Sequence, residues 1–144
     1  MSYGEILSSF LIDLQRVFRK KIKIQNASFQ QIMALSAIPS KGIEMTPLAK
    51  KIGIDNSTAT RLVKRLEHKG WVSRVVSSHD GRVAKVMLTV AGSNMQIKIE
   101  NQCEEIGEII EKFVNPIDRQ AVHDSIQSLH WVLIKMDLDK QKVV

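Results

Sequence analysis

The sequence is poor in the residue types that most often interrupt or crosslink a chain. Its 144 residues include seven glycines, three prolines and one cysteine, Cys103. Glycine and proline usage this low excludes collagen-like and low-complexity chains and most turn-dense all-β folds. A single cysteine excludes an intrachain disulfide framework and a zinc site built from several cysteines. A chain of this length can bury a core without such crosslinks.

Long hydrophobic runs are also missing, so the sequence predicts no membrane-spanning helix and no membrane partner. Near the N-terminus, Glu5 and Asp13 interrupt the apolar pattern. A secretory signal peptide would instead carry its charges before the apolar stretch and a small-residue cleavage site after it. We therefore expect a cytoplasmic protein.

Sequence motifs of common enzymes are absent as well. The chain has no nucleophile elbow, HExxH zinc motif, phosphate-binding loop or dinucleotide fingerprint. His123 and His130 are seven residues apart on one predicted helix, whereas metal ligands on a helix usually lie three or four apart. We therefore expect no enzymatic activity, no catalytic residue, no cofactor and no metal site.

Positive charge is concentrated in the middle third of the chain. Positions 41–90 hold ten Lys and Arg residues but only four Asp and Glu residues. The other 94 residues hold eleven of each sign, so the whole net charge of +6 comes from the middle. A phosphate-binding module needs such a concentration, whereas an ordinary solvated surface does not. This distribution favours a nucleic-acid partner.

Apolar spacing predicts a mostly α-helical fold with one small β-hairpin. Apolar residues at helical spacing over 4–22 predict a first helix, and Ser28 is placed to cap a second. Thr89 is placed to cap a long helix after the hairpin, and Asn115-Pro116 to start the last one.

The middle segment, residues 46–70, reads TPLAKKIGIDNSTATRLVKRLEHKG and predicts two helices joined by a tight turn. Thr46 and Pro47 are the predicted N-cap and first residue of the shorter helix. Asp55 is predicted to cap the second helix, and Gly70 to follow its end. This is a helix-turn-helix pattern, in which the second helix enters the major groove of DNA.

The polar side of that second helix supplies candidate DNA contacts. Its small hydroxyl and amide side chains can approach base edges, and Arg61 can donate two hydrogen bonds to guanine O6 and N7. Lys64 and Arg65 can reach phosphates. The candidate DNA-binding residues here are Asn56, Ser57, Thr58, Thr60, Arg61, Lys64 and Arg65.

A β-hairpin follows, with predicted strands at 71–76 and 83–89 around an Asp-Gly turn. An arginine at the tip of such a wing, here Arg82, is placed to enter a minor groove. Asp80 can orient the guanidinium of Arg82, or it can be present because an Asp-Gly pair favours the turn. The two roles can coexist. Arg74 and Lys85 are the other candidate DNA-binding residues of the hairpin.

With these motifs, the sequence resembles the MarR family of winged helix-turn-helix regulators from Leu48 to Gly92. The flanking helices agree with the family in order and length. Lys64 is a departure, because family members commonly have an acidic residue there. The elements that carry the resemblance are Thr60-Arg61-Leu62-Val63, Arg65-Leu66-Glu67, Lys69-Gly70-Trp71-Val72, Asp80-x-Arg82 and Leu88-Thr89.

The resemblance implies a homodimer in which residues 1–38 and 93–144 form a helical dimerisation region and residues 39–92 form a winged helix-turn-helix lobe. It implies that the protein is a repressor that binds a pseudo-palindromic site on double-stranded DNA and is released by a small-molecule effector. The residues expected at the effector pocket are Phe10, Leu14, Phe18 and Ile32, although they could equally belong to the core.

Other functions stay open at the level of sequence. The winged helix could bind another protein through a solvated basic face, or bind DNA without sequence preference. It could also bind DNA constitutively, with no effector. The sequence does not identify the operator, the regulated genes, the effector, the sign of regulation or a redox role for Cys103.

Overall fold

The structure, a computed structural model, describes residues 1–76 and 84–138. The chain divides into two compact units, Met1–Glu104 and Glu105–Val144. Within the described ranges, the structure contains no helix with the length and hydropathy of a membrane span.

Six α-helices, three short strands and one 3-10 turn make up the described chain. They are α1 (Tyr3–Lys21), α2 (Phe29–Ala37), β1 (Ile43–Glu44), α3 (Met45–Ile52), α4 (Asn56–His68), β2 (Val72–Val76), β3 (Ala84–Leu88), α5 (Val90–Phe113), the 3-10 turn (Pro116–Asp118) and α6 (Arg119–Leu138). The predicted fold class, mostly α with a small hairpin in a winged helix-turn-helix, is confirmed.

Small polar residues begin α2 and α5 where the sequence predicts them. The Ser28 hydroxyl accepts a hydrogen bond from the Gln31 amide at 3.2 Å, and the Gln31 side chain accepts one from the Ser28 amide at 3.1 Å. This reciprocal capping box satisfies two amides that have no partner within the helix. Thr89 caps α5, because its hydroxyl accepts from the Gly92 amide at 3.0 Å.

The predicted start of α3 is wrong by two residues. Glu44, not Thr46, is the N-cap, and Met45, not Pro47, is the first helical residue. The reason is a strand that sequence reasoning missed: β1 pairs antiparallel with β3 through Ile43, and the chain turns from this pair directly into α3. Pro47 remains tolerated, because the amides of the first turn have no acceptor within the helix.

The core of the first unit is formed by apolar side chains from α2, α3, α4, α5 and the three-stranded sheet, whose order is β1-β3-β2. Gln31 is the one buried polar side chain among the described residues. The largest fully buried side chains of this core are Leu35, Ile38, Leu48, Val63, Leu66, Val86 and Ile99.

Trp71 joins the sheet to α5 at this core. The Trp71 side chain is buried, and its carbonyl oxygen accepts a hydrogen bond from the Thr89 amide at 3.1 Å. The first turn of α5 approaches this carbonyl so closely that a Cβ at Gly92 would overlap it. Gly92 is therefore required for close packing.

In the second unit, Asn115 and Pro116 start a helical segment as predicted, but its first turn is a 3-10 helix. The Asn115 side chain accepts from the Ile117 amide at 3.3 Å, and α6 follows from Arg119. The Arg119 Nε donates to the carbonyl oxygens of Glu111 at 2.9 Å and Val114 at 3.2 Å. Arg119 thus stabilises the C-terminal carbonyls of α5.

We predict opposite effects for one substitution at two glycines of α5. Gly92→Ala should lower the free energy of unfolding by about 1–3 kcal/mol, because the new methyl group displaces the Trp71 backbone. Gly107→Ala should raise it by roughly 0.5–1 kcal/mol, because a Cβ there meets no described atom within 4 Å and alanine favours the helix. Urea unfolding at one fixed protein concentration measures both, and a Gly92→Ala protein as stable as wild type would contradict this packing.

Candidate nucleic-acid interface

The turn between α3 and α4 sets the position of the candidate recognition helix. Gly53 ends α3 in the left-handed conformation, with φ of 73°. In this conformation a side chain would be strained, so glycine is favoured. The Ile54 amide then donates to the Ala49 carbonyl at 3.0 Å, and Asp55 caps α4. Only Gly53 and Ile54 separate the end of α3 from that cap.

One side of α4 is buried, and the other is polar and exposed. Ala59, Leu62, Val63 and Leu66 are buried. At 100° per residue, the opposite side of the helix carries four exposed residues in a line. We call these four residues the exposed stripe of α4: Ser57, Arg61, Lys64 and His68.

His68 is the member of this stripe that sequence reasoning missed. It lies four residues after Lys64, in the last turn of α4. Helical spacing from Arg61 and Lys64 could have identified it, since residues at i, i+4 and i+7 share a face. Arg65 is exposed beside the stripe, whereas Thr58 and Thr60 are half-buried at its edges.

The polar groups at the start of α4 hydrogen-bond one another. Asp55 accepts from the Thr58 amide at 2.7 Å and from the Ser57 hydroxyl at 2.8 Å. The Thr60 hydroxyl donates to the Asn56 carbonyl at 2.8 Å, and the Asn56 amide donates to the Thr46 hydroxyl at 3.3 Å. The hydroxyl donors of Ser57 and Thr60 are therefore occupied, and their oxygens are the groups that can accept from a ligand.

Asp55 is held in its charged form by these contacts. The backbone amide of Thr58, followed by the Ser57 hydroxyl, lowers the pKa of the Asp55 carboxyl to about 2. A carboxylate at a helix N-terminus also offsets the positive end of the helix dipole. Asp55 thus stabilises the first turn of α4, and it also places a negative charge beside the polar residues at the start of that helix.

Of the cations predicted to contact DNA, Arg61 and Arg74 have described partners within the protein. A guanidinium nitrogen of Arg61 donates to the Thr58 hydroxyl at 3.4 Å, a long hydrogen bond that a ligand could replace. The Arg74 Nε lies 2.8 Å from a carboxylate oxygen of Glu67 on α4. Arg74 pairs in register with the buried Val86, so its side chain lies on the sheet face that contacts α4.

The remaining hairpin predictions lie partly outside the structure's range. Lys85 is exposed on β3 and is in register with Glu44 of β1 and Val75 of β2. Asp80 and Arg82 lie outside the described residues.

A cavity of about 530 Å³ lies beside the connection between α1 and α2. Of the four residues predicted for an effector pocket, Ile32 lines it; Phe10 is 44% exposed, and Leu14 and Phe18 are half-buried elsewhere on α1. The guanidinium carbon of Arg19 lies 4.3 Å from the centroid of the Phe29 ring. The full lining is Arg19, Ile22, Lys23, Ile24, Gln25, Ala27, Phe29 and Ile32.

Cys103 is half-buried on α5. Burial, followed by the neighbouring charges of Glu104 and Glu100, raises the pKa of its thiol. Because the thiolate is the reactive form, these surroundings make Cys103 a poor nucleophile.

We predict that the cap at Asp55 loses its contribution in acid. The pKa of about 2 in the folded chain is lower than the usual value of about 3.9, so this stability is present above about pH 4 and is lost as the pH falls through about 2. Asp55→Ala should therefore lower the thermal midpoint at neutral pH, and the gap to wild type should narrow below about pH 4. Thermal unfolding followed by circular dichroism measures this gap.

Asp55→Asn is the control, since asparagine also caps helices but does not titrate. The gap in thermal midpoint between the Asp55→Asn and Asp55→Ala proteins should not change with pH. A constant gap between wild type and Asp55→Ala down to about pH 2 would contradict the lowered pKa.

Comparison with known proteins shows the fold and the family that the chain resembles. The MarR family model matches residues 30–84. The chain is 28% identical over 103 residues to the transcriptional regulator SarZ of Staphylococcus haemolyticus, covering 72% of this chain and 69% of SarZ. It is 27% identical over 86 residues to the transcriptional repressor MprA of Escherichia coli, covering 60% of this chain and 49% of MprA.

Solved structures agree with these matches. The crystal structure of Streptococcus pneumoniae FabT in complex with DNA superposes with a TM-score of 0.74 at 19% identity, covering 92% of this chain and 96% of FabT. This likeness shows the winged-helix fold. The family-model match, the sequence relatives and the fold agree, and all three show that the chain is similar to transcriptional regulators of the MarR family.

Proposed function

We propose that the chain acts as a homodimer that binds a pseudo-palindromic DNA operator, represses transcription and is released by a small-molecule effector. The observation that carries this proposal is the exposed stripe of α4. It combines the hydroxyl of Ser57, the cations Arg61 and Lys64, and the imidazole of His68 on the side of the helix opposite its buried face.

This stripe has the dimensions and chemistry for a major groove. A single α-helix fits the groove, and an arginine can read guanine by two parallel hydrogen bonds. Arg61 is in the middle of α4, where a helix lying in the groove contacts base edges. Lys64 and Arg65 follow it on the exposed side and are suited to phosphates. The FabT complex, in which a protein of the same fold is bound to DNA, supports this assignment.

Exposed apolar side chains on α1 and α6 support a dimer. Every residue of α1 is at least partly exposed, including Leu7 and Leu11, and α6 exposes Ile126, Trp131 and Leu133. Apolar surfaces of this kind mark protein interfaces. We therefore assign dimerisation to residues 1–38 and 93–144 and DNA binding to residues 39–92. Two-fold symmetry then places two copies of α4 about one DNA turn apart, roughly 34 Å.

The cavity beside the α1–α2 connection is the proposed effector site. Its walls combine apolar side chains, such as Ile32 and Phe29, with the cations Arg19 and Lys23. This lining suits a small anion that has an apolar body. The name of MprA as a repressor supports negative regulation here.

Selection from a pool of random-sequence duplexes tests sequence-specific binding without knowledge of the operator. The purified protein should enrich one motif with two related half-sites, and should prefer it to a scrambled duplex by about 10³ or more at physiological salt. Enrichment of no motif, with binding that disappears steeply as salt rises, would reject specific regulation. That result would favour the protein-interaction alternative.

We predict that Arg61→Ala relaxes the selected motif. It should cost about 1–3 kcal/mol of discrimination at one position of each half-site, because the alanine cannot donate to the base. Lys112→Ala removes the same charge from an exposed position on α5 and is the control. Repeating the selection with each variant measures the effect, and an unchanged motif with Arg61→Ala would refute base readout by this residue.

We also predict that a charge on the apolar side of α1 dissociates the dimer. Leu7→Glu places a carboxylate within the apolar stripe and should shift the protein from dimer to monomer in sedimentation velocity. Ile12→Glu is the control, because Ile12 is 64% exposed on the opposite side of the helix. Equal sedimentation of the two variants would show that this side of α1 is not the interface.

A further inference from the structure

We infer that Lys69 is a positioning residue for DNA binding, which ties the end of α4 to the α1–α2 connection, residues 22–28. This inference rests on the proposed DNA-binding role of α4. According to this inference, the position of the α1–α2 connection affects DNA affinity through Lys69, and Lys69 itself does not contact DNA.

Lys69 is an exposed residue, and its ammonium group binds two other parts of the protein. Its Nζ donates to the carboxamide oxygen of Gln31 at 2.8 Å and to the backbone carbonyl of Asn26. It also lies 4.9 Å from the centroid of the Trp71 ring. Lys69 is the C-cap of α4, and its own amide donates to the Arg65 carbonyl at 3.2 Å. The ammonium group therefore joins the last turn of α4 to two other segments.

Both acceptors are held in place by features of their own. Gln31 is only 7% exposed, and the same carboxamide oxygen accepts from the Ser28 amide, so it is fixed by the capping box of α2. Asn26 has φ of 63° and is the one described residue other than glycine with positive φ. Asparagine tolerates this conformation better than most residues. The connection thus presents a defined pair of oxygens to Lys69.

The other end of the connection is held by α5. The Gln102 carboxamide accepts from the Lys23 amide at 2.6 Å and donates to the Lys23 carbonyl at 3.0 Å. Between the two attachments, the connection forms part of the cavity wall through Ile24, Gln25 and Ala27. This part of the cavity wall therefore lies between the hydrogen bonds of Lys23 to α5 and the hydrogen bond of Asn26 to Lys69 of α4.

This arrangement provides a physical route from the cavity to the exposed stripe. A movement of residues 22–28 changes the position of the Asn26 carbonyl, to which Lys69 is bound. Lys69 is one residue after His68 and five after Lys64, so the last turn of α4 follows it. Removal of the ammonium group should break this route and leave the apolar packing of α4 intact.

Affinity for the selected duplex, measured over a range of salt concentrations, tests the role of Lys69. Lys69→Met should weaken binding by about 2- to 30-fold, the range for residues that act through coupling. The slope of log affinity against log salt should stay unchanged. A slope smaller by about one would mean that Lys69 contacts a phosphate, and would overturn the inference. Lys98→Met, which removes a lysine charge from an exposed position on α5, is the control.

A double-mutant cycle tests the route itself. Gln102→Ala, which frees Lys23, should change DNA affinity when Lys69 is present and have no further effect in the Lys69→Met protein. If the effects of the two substitutions multiply in affinity, the connection does not act through Lys69 and the inference is wrong. The comparison requires that all variants keep the same fold. Circular dichroism spectra and thermal midpoints are therefore recorded for each variant.

Hydrogen exchange without DNA separates this inference from the proposed function. Lys69→Met should speed exchange of amides in residues 22–28 and in the last turn of α4, and leave α6 unchanged. Unchanged exchange in residues 22–28 would show that Lys69 does not hold the connection in place, and would overturn the inference. If wild type selects no DNA motif but exchange responds as expected, Lys69 does hold the connection in place and the proposed function is wrong. The inferred effect on DNA affinity is then wrong as well.

Discussion

The structure of the first unit depends on the close contact between Trp71 and the start of α5. The Trp71 amide donates to the Leu66 carbonyl of α4 at 3.0 Å, and its carbonyl accepts from Thr89. The Thr89 hydroxyl in turn donates to the Gly70 carbonyl at 2.5 Å. The end of α4, the start of β2 and the first turn of α5 therefore meet around one residue. Gly92 allows this contact, since any side chain there would separate the backbones.

The candidate interface follows from this contact and from the amphipathic character of α4. The buried residues of α4 fix its rotation, and Trp71 fixes where it ends. Ser57, Arg61, Lys64 and His68 face outward as a consequence, without needing to stabilise the fold. This separation of roles explains why a helix with one buried face can present a basic, polar surface on the other.

Local features were predictable from the sequence, and contacts distant in sequence were not. Asp55, Ser28 and Thr89 cap helices as expected, since a cap needs only a short side chain and the next three residues. The two-residue strand β1 was missed, because Ile43 and Glu44 form a strand only by pairing with β3, some forty residues later. For the same reason, the family resemblance implied a pocket that includes Ile32, but the sequence did not show the cavity wall formed by the α1–α2 connection.

Charge counting predicted an interface in the middle third of the chain, and the structure shows that several cations of this segment have partners within the protein. Among the described residues of positions 41–90, Arg74 pairs with Glu67, Lys69 binds Gln31 and Asn26, and the Lys51 Nζ donates to the Ala37 carbonyl at 2.8 Å. Ala37 ends α2 and Lys69 ends α4, positions at which a cation offsets the negative end of the helix dipole. Part of the excess charge therefore stabilises the ends of helices. The net charge of +6 therefore does not by itself measure the size of the candidate interface.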